Sequence, residues 1–274
     1  MEERPVETIG PDARVSVLDR REFLKRCWVA GGVILAVVEL DGSPGLAAEP
    51  PAGAAPSGVY DATQHFYGMG VDVSKCIGCG RCMVACKTEN NVPPEPQFVR
   101  TWVERYVIHA EGEPTVEAIE PGAERGAEPP RLAEKGILRT FFVPKLCNHC
   151  ANPPCVQVCP VGATFSTTDG AVLVDDKRCI GCRYCIQACP YGARYLHPQT
   201  KTADKCTFCY HRVVKGLLPA CVEVCPTQAR IFGDLKSKAS RLVRFARMNK
   251  IHVLKASLNT EPKVYYAQLD GEVR

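Results

Sequence analysis

Apolar and polar residues alternate in only a few short stretches of this chain, and those stretches stand at recurring places. Val71 and Val73 flank Asp72 just before one cysteine-rich run, and the apolar residues 171–174 stand just before another. Each predicts a short strand feeding a loop, because about 4–8 residues with period two suffice for a strand. After the third cysteine of the same two runs, residues 83–88 and 186–188 leave room for one or two helical turns. Strand, loop and short helix thus form an internal repeat. Towards the end, residues 237–249 set Leu242, Val243, Phe245 and Ala246 at helical spacing among basic residues, which predicts an amphipathic helix packed on its own domain. Residues 111–136 are dense in Glu, Pro and Gly without any period and read as a surface insertion. Residues 43–64, rich in Pro, Ala and Gly, read as a linker, with order expected from near Gly70.

The cysteines change this outline into chemistry. Sixteen of the 17 fall into four groups. Cys76, Cys79, Cys82 and Cys86, and again Cys179, Cys182, Cys185 and Cys189, are spaced C-x2-C-x2-C-x3-C, the bacterial ferredoxin run. Cys147, Cys150, Cys155 and Cys159, and Cys206, Cys209, Cys221 and Cys225, keep the first and last intervals but carry longer loops between. A cubane takes three thiolates from one loop, and in two-cluster ferredoxins the last cysteine of each run ligates the other cluster. Pro160, Pro190 and Pro226 follow three of the last cysteines and turn the chain away, whereas Lys87 follows Cys86. Zinc and disulfides are the competing readings. Zinc takes separated pairs, which the second and fourth groups allow and the two contiguous runs do not. A disulfide framework leaves the repeated Cys-Pro unexplained. No Cys-x-x-Cys-His motif for covalent haem occurs, since Cys206, Cys209 and His211 miss it by one residue.

Lys75, Lys145, Lys177, Arg178 and Lys205 lie just before the four runs, where cations stabilise an anionic cluster; their alternative reading is solvated loop lysines. His149, between two expected ligands, reads as a packing or hydrogen-bonding residue because four thiols leave no vacancy. His65, His109, His197, His211 and His252 are scattered, and no nucleophile with its base and no phosphate loop is present, which predicts a non-catalytic electron-transfer chain.

At 274 residues, 46% hydrophobic and 23% charged, the composition is that of an ordinary globular chain, and a net charge of +4 gives no reason to expect nucleic acid as a partner. The N-terminus carries compartment information. Asp19-Arg20-Arg21-Glu22-Phe23-Leu24-Lys25 precedes an apolar stretch, residues 28–40, broken only by Glu39, and then Ala47, Ala48, Ala52 and Ala54. Charged region, short apolar region and Ala-rich exit read as an export signal that resembles the twin-arginine type, with Asp19 where Ser or Thr is usual. That route carries folded proteins, which suits clusters assembled in the cytoplasm. A retained anchor is the alternative, although the run is shorter than the ~20 apolar residues of a spanning helix. Cys27 falls within this segment and is not expected to be a ligand.

Three stretches carry a family likeness: residues 145–155 (Lys-Leu-Cys-Asn-His-Cys-Ala-Asn-Pro-Pro-Cys), residues 175–191, and residues 202–209 (Thr-Ala-Asp-Lys-Cys-Thr-Phe-Cys). With the closing residues 261–266 they resemble the four-cluster electron-transfer subunits of molybdopterin oxidoreductases, nearest to the tetrathionate and polysulfide reductase branch, over about residues 70–269. The likeness implies an α+β fold of nested bacterial-ferredoxin-like domains. An outer domain of residues 70–110 and 201–235 would enclose an inner one of 137–200, with residues 1–54 as signal and linker, 55–69 as linker, 111–136 as insertion and 236–274 as C-terminal extension. It also implies the ligand sets. Cys76, Cys79 and Cys82 would join Cys225; Cys206, Cys209 and Cys221 would join Cys86; Cys147, Cys150 and Cys155 would join Cys189; Cys179, Cys182 and Cys185 would join Cys159. Because Cys182 is present, all four clusters are expected to be [4Fe-4S].

The implied role is a periplasmic relay in anaerobic respiration, peripheral to the cytoplasmic membrane, between a molybdopterin-containing catalytic subunit and an integral-membrane subunit handling quinol or quinone. A polyferredoxin relay in a membrane redox complex without molybdenum, and a zinc-stabilised binding module, are the rival readings. Replacing Arg20 and Arg21 by Lys is expected to strand metal-loaded protein in the cytoplasm, checked by fractionation; continued arrival in the periplasm through the general secretory route would count against the signal.

Overall fold

The computed structural model describes residues 60–120 and 136–273. The export signal, Cys27, most of the linker and residues 121–135 of the expected insertion lie outside the described residues.

The sheet that organises the rest is built on β1 (Tyr67–Asp72), whose sequence Tyr-Gly-Met-Gly-Val-Asp gives its two faces different characters. Tyr67, Met69 and Val71 point into the main core together with Met83, Val103, Val143, Phe208, Phe232 and Tyr266. Gly68 and Gly70 face the other way. β1 pairs antiparallel with β9 (Arg230–Asp234) on one side and parallel with β11 (Val264–Ala267) on the other, in the order β10-β11-β1-β9 with β10 at Ile251–His252. The amphipathic helix expected near the end of the chain is α6 (Arg241–Met248), and its Leu242 and Phe245 pack onto this sheet. They reach it because the seat is glycine: a Cβ at Gly70 would stand 2.7 Å from the Phe245 ring, and one at Gly233 2.8 Å from Leu242 Cβ.

Residues 236–274, expected as an extension, are therefore partly internal. β11 is fully buried at Val264, Tyr266 and Ala267 and lies beside the first strand of the chain. A second departure concerns the aperiodic segment after residue 110. β2 (Thr101–His109) and β4 (Ile137–Leu146) form a long antiparallel pair from Thr101↔Leu146 to His109↔Ile137, and β3 (Thr115–Ala118) adds to the free edge of β2. All four β3 residues are exposed, and its order comes from main-chain pairing with polar contacts of Glu117 to Arg105 and Thr115 to His109, which leaves no hydrophobic period to read. Two small hairpins complete the sheets: β5 (Thr164–Ser166) with β6 (Val172–Val174), and β7 (Arg194–Leu196) with β8 (Ala203–Lys205).

The short helices each follow a cysteine loop. They are α1 (Arg81–Glu89), α2 (Pro154–Gln157), α3 (Tyr184–Gln187), α4 (Tyr210–Val213) and α5 (Ala220–Glu223). α1 packs against α5, and α2 against α3. Helices from the first and last cysteine groups thus meet, as do those from the two middle groups. Among the described residues no helix is long and apolar enough to cross a membrane.

Gly70→Val is expected to push α6 off its seat and to lower stability by about 1–3 kcal/mol, the usual cost of overpacking. Gly70 does not have a positive φ, so this contact alone is at stake. Unchanged thermal unfolding would show that the helix is not held there.

Candidate metal centres

The four C-x2-C turns share one backbone device. The third residue of each turn, Gly78, His149, Gly181 and Phe208, lies in the left-handed region with φ of 68°, 43°, 68° and 55°. This turn aims the residue's amide back at the first thiol. His149 N–H donates to Cys147 Sγ at 3.5 Å and Phe208 N–H to Cys206 Sγ at 3.4 Å, and the Gly78 amide bears on Cys76 in the same way. Further donors reach the sulfurs: Thr164 N–H to Cys159 (3.5 Å), Ala203 N–H to Cys179 (3.4 Å), and Asn90 Nδ2 to Cys209 (3.5 Å). Amides aimed at sulfur stabilise negative charge there.

Glycine occupies this turn in two groups at no steric cost. In the other two, His149 and Phe208 take it up, which costs on the order of 1–3 kcal/mol each. Their rings stack with centroids 3.6 Å apart and 16° between planes, both fully buried, and the stack offsets that strain. His149 Nδ1 also accepts the Val172 N–H at 3.0 Å. Burial, then the charges of Lys205, Lys263 and Arg194, hold its pKa well below the usual imidazole range, so it stays neutral as a packing and hydrogen-bonding residue.

The thiols gather across the sequence. Cys76, Cys79, Cys82 and Cys225 line one small pocket, with Arg230 on its wall. Cys86 is surrounded by Cys206, Cys221 and Cys209, all of them buried. Cys150 has Cys147, Cys155 and Cys189 around it. Cys179 and Cys185 share a small packed group with Cys155, while Cys159 follows α2. Burial above all pushes Cys76, Cys150 and Cys221 each up to about 11, with neighbouring thiols adding to the rise. Such thiols ionise when a metal takes the proton's place.

The cations expected beside the loops divide. Lys75, Lys177 and Arg178 are exposed, with Lys75 paired to Asp72 at 3.0 Å. Lys145 is buried and paired with Glu104 at 2.6 Å. Only Lys205 is wholly buried near thiols, chiefly Cys147 and Cys206. Three further cations were missed from the sequence: Arg194, Arg230 and Lys263, each no more than 5% exposed. Arg194 Nη2 donates to Cys155 Sγ at 3.0 Å. A signal for the two arginines was present, since Cys-Pro-x-x-Ala-Arg occurs at both Cys189 and Cys225.

Thiols set round a hollow, with amides and guanidinium groups turned towards them, form a donor set that fits an anionic 4Fe-4S cluster. Short strands feeding such loops define a ferredoxin-like iron-sulfur protein of α+β fold. Residues 75–163 and 138–235 each match a family described as "4Fe-4S dicluster domain". The chain is 46% identical over 209 residues to a tetrathionate reductase subunit of Salmonella typhimurium, covering 76% of this chain and 74% of that one. It is 48% identical over 201 residues to the protein of the same name from Archaeoglobus fulgidus (73% and 81% covered). To a polysulfide reductase subunit of Wolinella succinogenes it is 38% identical over 200 residues (73% and 92%). This protein belongs to the family of 4Fe-4S electron-transfer subunits of the tetrathionate, polysulfide and DMSO reductase type.

Gly181 has φ of 68° and a Cβ there would lie 2.4 Å from Lys201 O, whereas Gly162, with φ of 62°, has open space. Gly162→Ala is expected to cost about 1–2 kcal/mol through backbone strain alone. Gly181→Ala should cost more and release iron from the Cys179 loop. Equal iron per chain and equal melting of the two variants would refute the steric reading.

Proposed function

We propose that the sixteen motif cysteines hold four [4Fe-4S] clusters in the nested sets given above. In this reading the chain carries electrons between a molybdopterin-containing catalytic subunit and an integral-membrane subunit that handles quinol or quinone. The observation that carries the reading is the gradient of burial from one thiol set to the next. Cys206, Cys209, Cys221 and Cys86 are all buried, and of Cys147, Cys150, Cys155 and Cys189 only the last is partly open. The sets at Cys76 and Cys179 are open at most of their members, with Cys182 exposed. Ile77 and Ile180, at the same place in their loops, are 56% and 65% exposed. Two buried sets between two open ones suit a path with an entrance, an interior and an exit.

When bound, such a cluster takes up and releases one electron at a time. The chain's part is to fix the sites and set their energies. The amides at Gly78, His149 and Phe208 would favour the more negative state of the sulfur they face. The contact of α1 with α5, and of α2 with α3, supports the pairing of motif one with motif four and of two with three. The names of the relatives favour a sulfur-compound reductase complex as the setting, and Arg20 and Arg21 favour export of the folded protein to the periplasm.

Iron and acid-labile sulfide should each approach about sixteen per anaerobically purified chain, as four clusters of four require. If Cys225 completes the set of Cys76, Cys225→Ser and Cys76→Ser should perturb the same electron paramagnetic resonance signal, leaving that of the Cys206 set intact. Loss of different signals in the two variants would show that each motif closes its own cluster.

A further inference from the structure

Resting on the four-cluster reading, we propose that Arg230, Lys205 and Arg194 form a series of fixed internal cations, one at each junction between successive thiol sets, that raise the reduction potentials of the two sets they separate. The assignment comes from where each cation lies. Arg230 opens β9, lies on the wall of the pocket of Cys76, Cys79, Cys82 and Cys225, and also faces Cys221 of the Cys206 set. Lys205, next to Cys206, turns inward to Cys147 and Cys155; its Nζ donates to the carbonyls of Cys206 (2.8 Å) and Val172. Arg194 donates to Cys155 Sγ at 3.0 Å and also faces Cys147 and Cys185. The three contacts order the sets in a line: Cys76, Cys206, Cys147, Cys179.

Each cation is otherwise poorly accommodated. Arg194, Lys205 and Arg230 are 5%, 1% and 2% exposed, and among the described residues no carboxylate lies within ion-pair distance of any of them. The neutral partners are few. Arg194 Nη1 reaches Thr164 Oγ1 at 3.3 Å, Arg230 Nη2 reaches Thr101 Oγ1 at 2.7 Å, and Arg194 Nε and Arg230 Nη1 have no hydrogen-bond partner. Arg194 and Lys205 also stand directly opposite each other across the β7–β8 pair, two like charges at a place where like charges repel. A buried charge without a counter-charge is strongly unfavourable. The negative charge that answers all three is that of the ligated thiolates, and it grows by one when an adjacent site is reduced. A cation held at a junction therefore favours the reduced state on both sides of it.

The two arginines occupy equivalent places, five residues after Cys189 and Cys225, while the same place after Cys159 holds Thr164, the residue that accepts from Arg194. The repeat thus supplies a cation in two copies and an acceptor in the third. Lys205 arises outside this pattern and serves the middle junction.

The test is potentiometry of the anaerobically purified full chain, followed by electron paramagnetic resonance, with signals assigned from the cysteine variants. Arg230→Gln should make reduction about tenfold less favourable, 59 mV for a one-electron couple, at the Cys76 and Cys206 sets only. Arg194→Gln should do the same at the Cys147 and Cys179 sets only. Arg230→Lys and Arg194→Lys should restore most of each shift. Unmoved potentials, equal movement of all four, or the same pair moving in both Gln variants would overturn the proposal. Iron is counted first. Loss of iron in a Gln variant with retention in the matching Lys variant supports a need for the charge, and loss in both marks a packing role and overturns it. Wild-type iron far below about sixteen per chain would instead defeat the four-cluster reading itself.

Discussion

The rest of this structure depends on charge being buried with both signs present. Nine of the thiols are buried outright, and burial makes Cys86, Cys150, Cys155, Cys206 and Cys221 reluctant to ionise. Around them stand Arg194, Lys205, Arg230 and Lys263, equally withdrawn from water. Neither group is comfortable by itself. Burial works against Arg230, yet the thiols of Cys82, Cys221 and Cys76 hold its pKa above the usual arginine value, while burial lowers that of Lys263 to about 8 against the pull of Cys150 and Cys147. Metal ligation makes the thiols anionic and supplies what the cations lack, so cluster assembly and folding become one process. That coupling suits a chain proposed to leave the cytoplasm already folded.

The apolar framework serves the same end. Small hairpins and four-residue helices bury little by themselves, and a two-stranded hairpin is marginal alone. Stability is concentrated where β1 is clamped between β9 and β11 and capped by α6 on its glycine seat. Since β1 leads into the Cys76 loop and β9 follows the Cys225 loop, this sheet is also what draws the first and fourth cysteine groups together. The β2–β4 pair does the corresponding work between the first group and the second, delivering Leu146 and Cys147 from a strand whose buried end is apolar except for Lys145, which is paired with Glu104.

The His149–Phe208 stack shows how local and long-range demands are reconciled. A left-handed turn is needed for an amide to face the first thiol, and two of the four loops place large rings there. The strain is tolerated because the two rings come from loops 59 residues apart in sequence and close on each other between two thiol sets.

Much was legible in the sequence alone, for a physical reason: cluster ligation imposes short, local spacings. The four cysteine groups, the loop after each short strand, the helical turns near residues 83–88 and 186–188, and the amphipathic helix at Leu242 and Phe245 all follow from spacings of a few residues; the structure has helices at Arg81–Glu89, Tyr184–Gln187 and Arg241–Met248. The Cys-Pro-x-x-Ala-Arg repeat was equally visible but gave no sign of where its arginine points. Tertiary structure alone decided the rest. It put β11 beside β1 in the core, ordered β3 through main-chain pairing that no side-chain period records, and exposed Lys75, Lys177 and Arg178 while burying Lys205. It also brought Arg194 and Arg230 against thiols from distant loops. Contacts between residues far apart in the chain leave no local period, because they are set by how sheets and helices stack once the loops have formed.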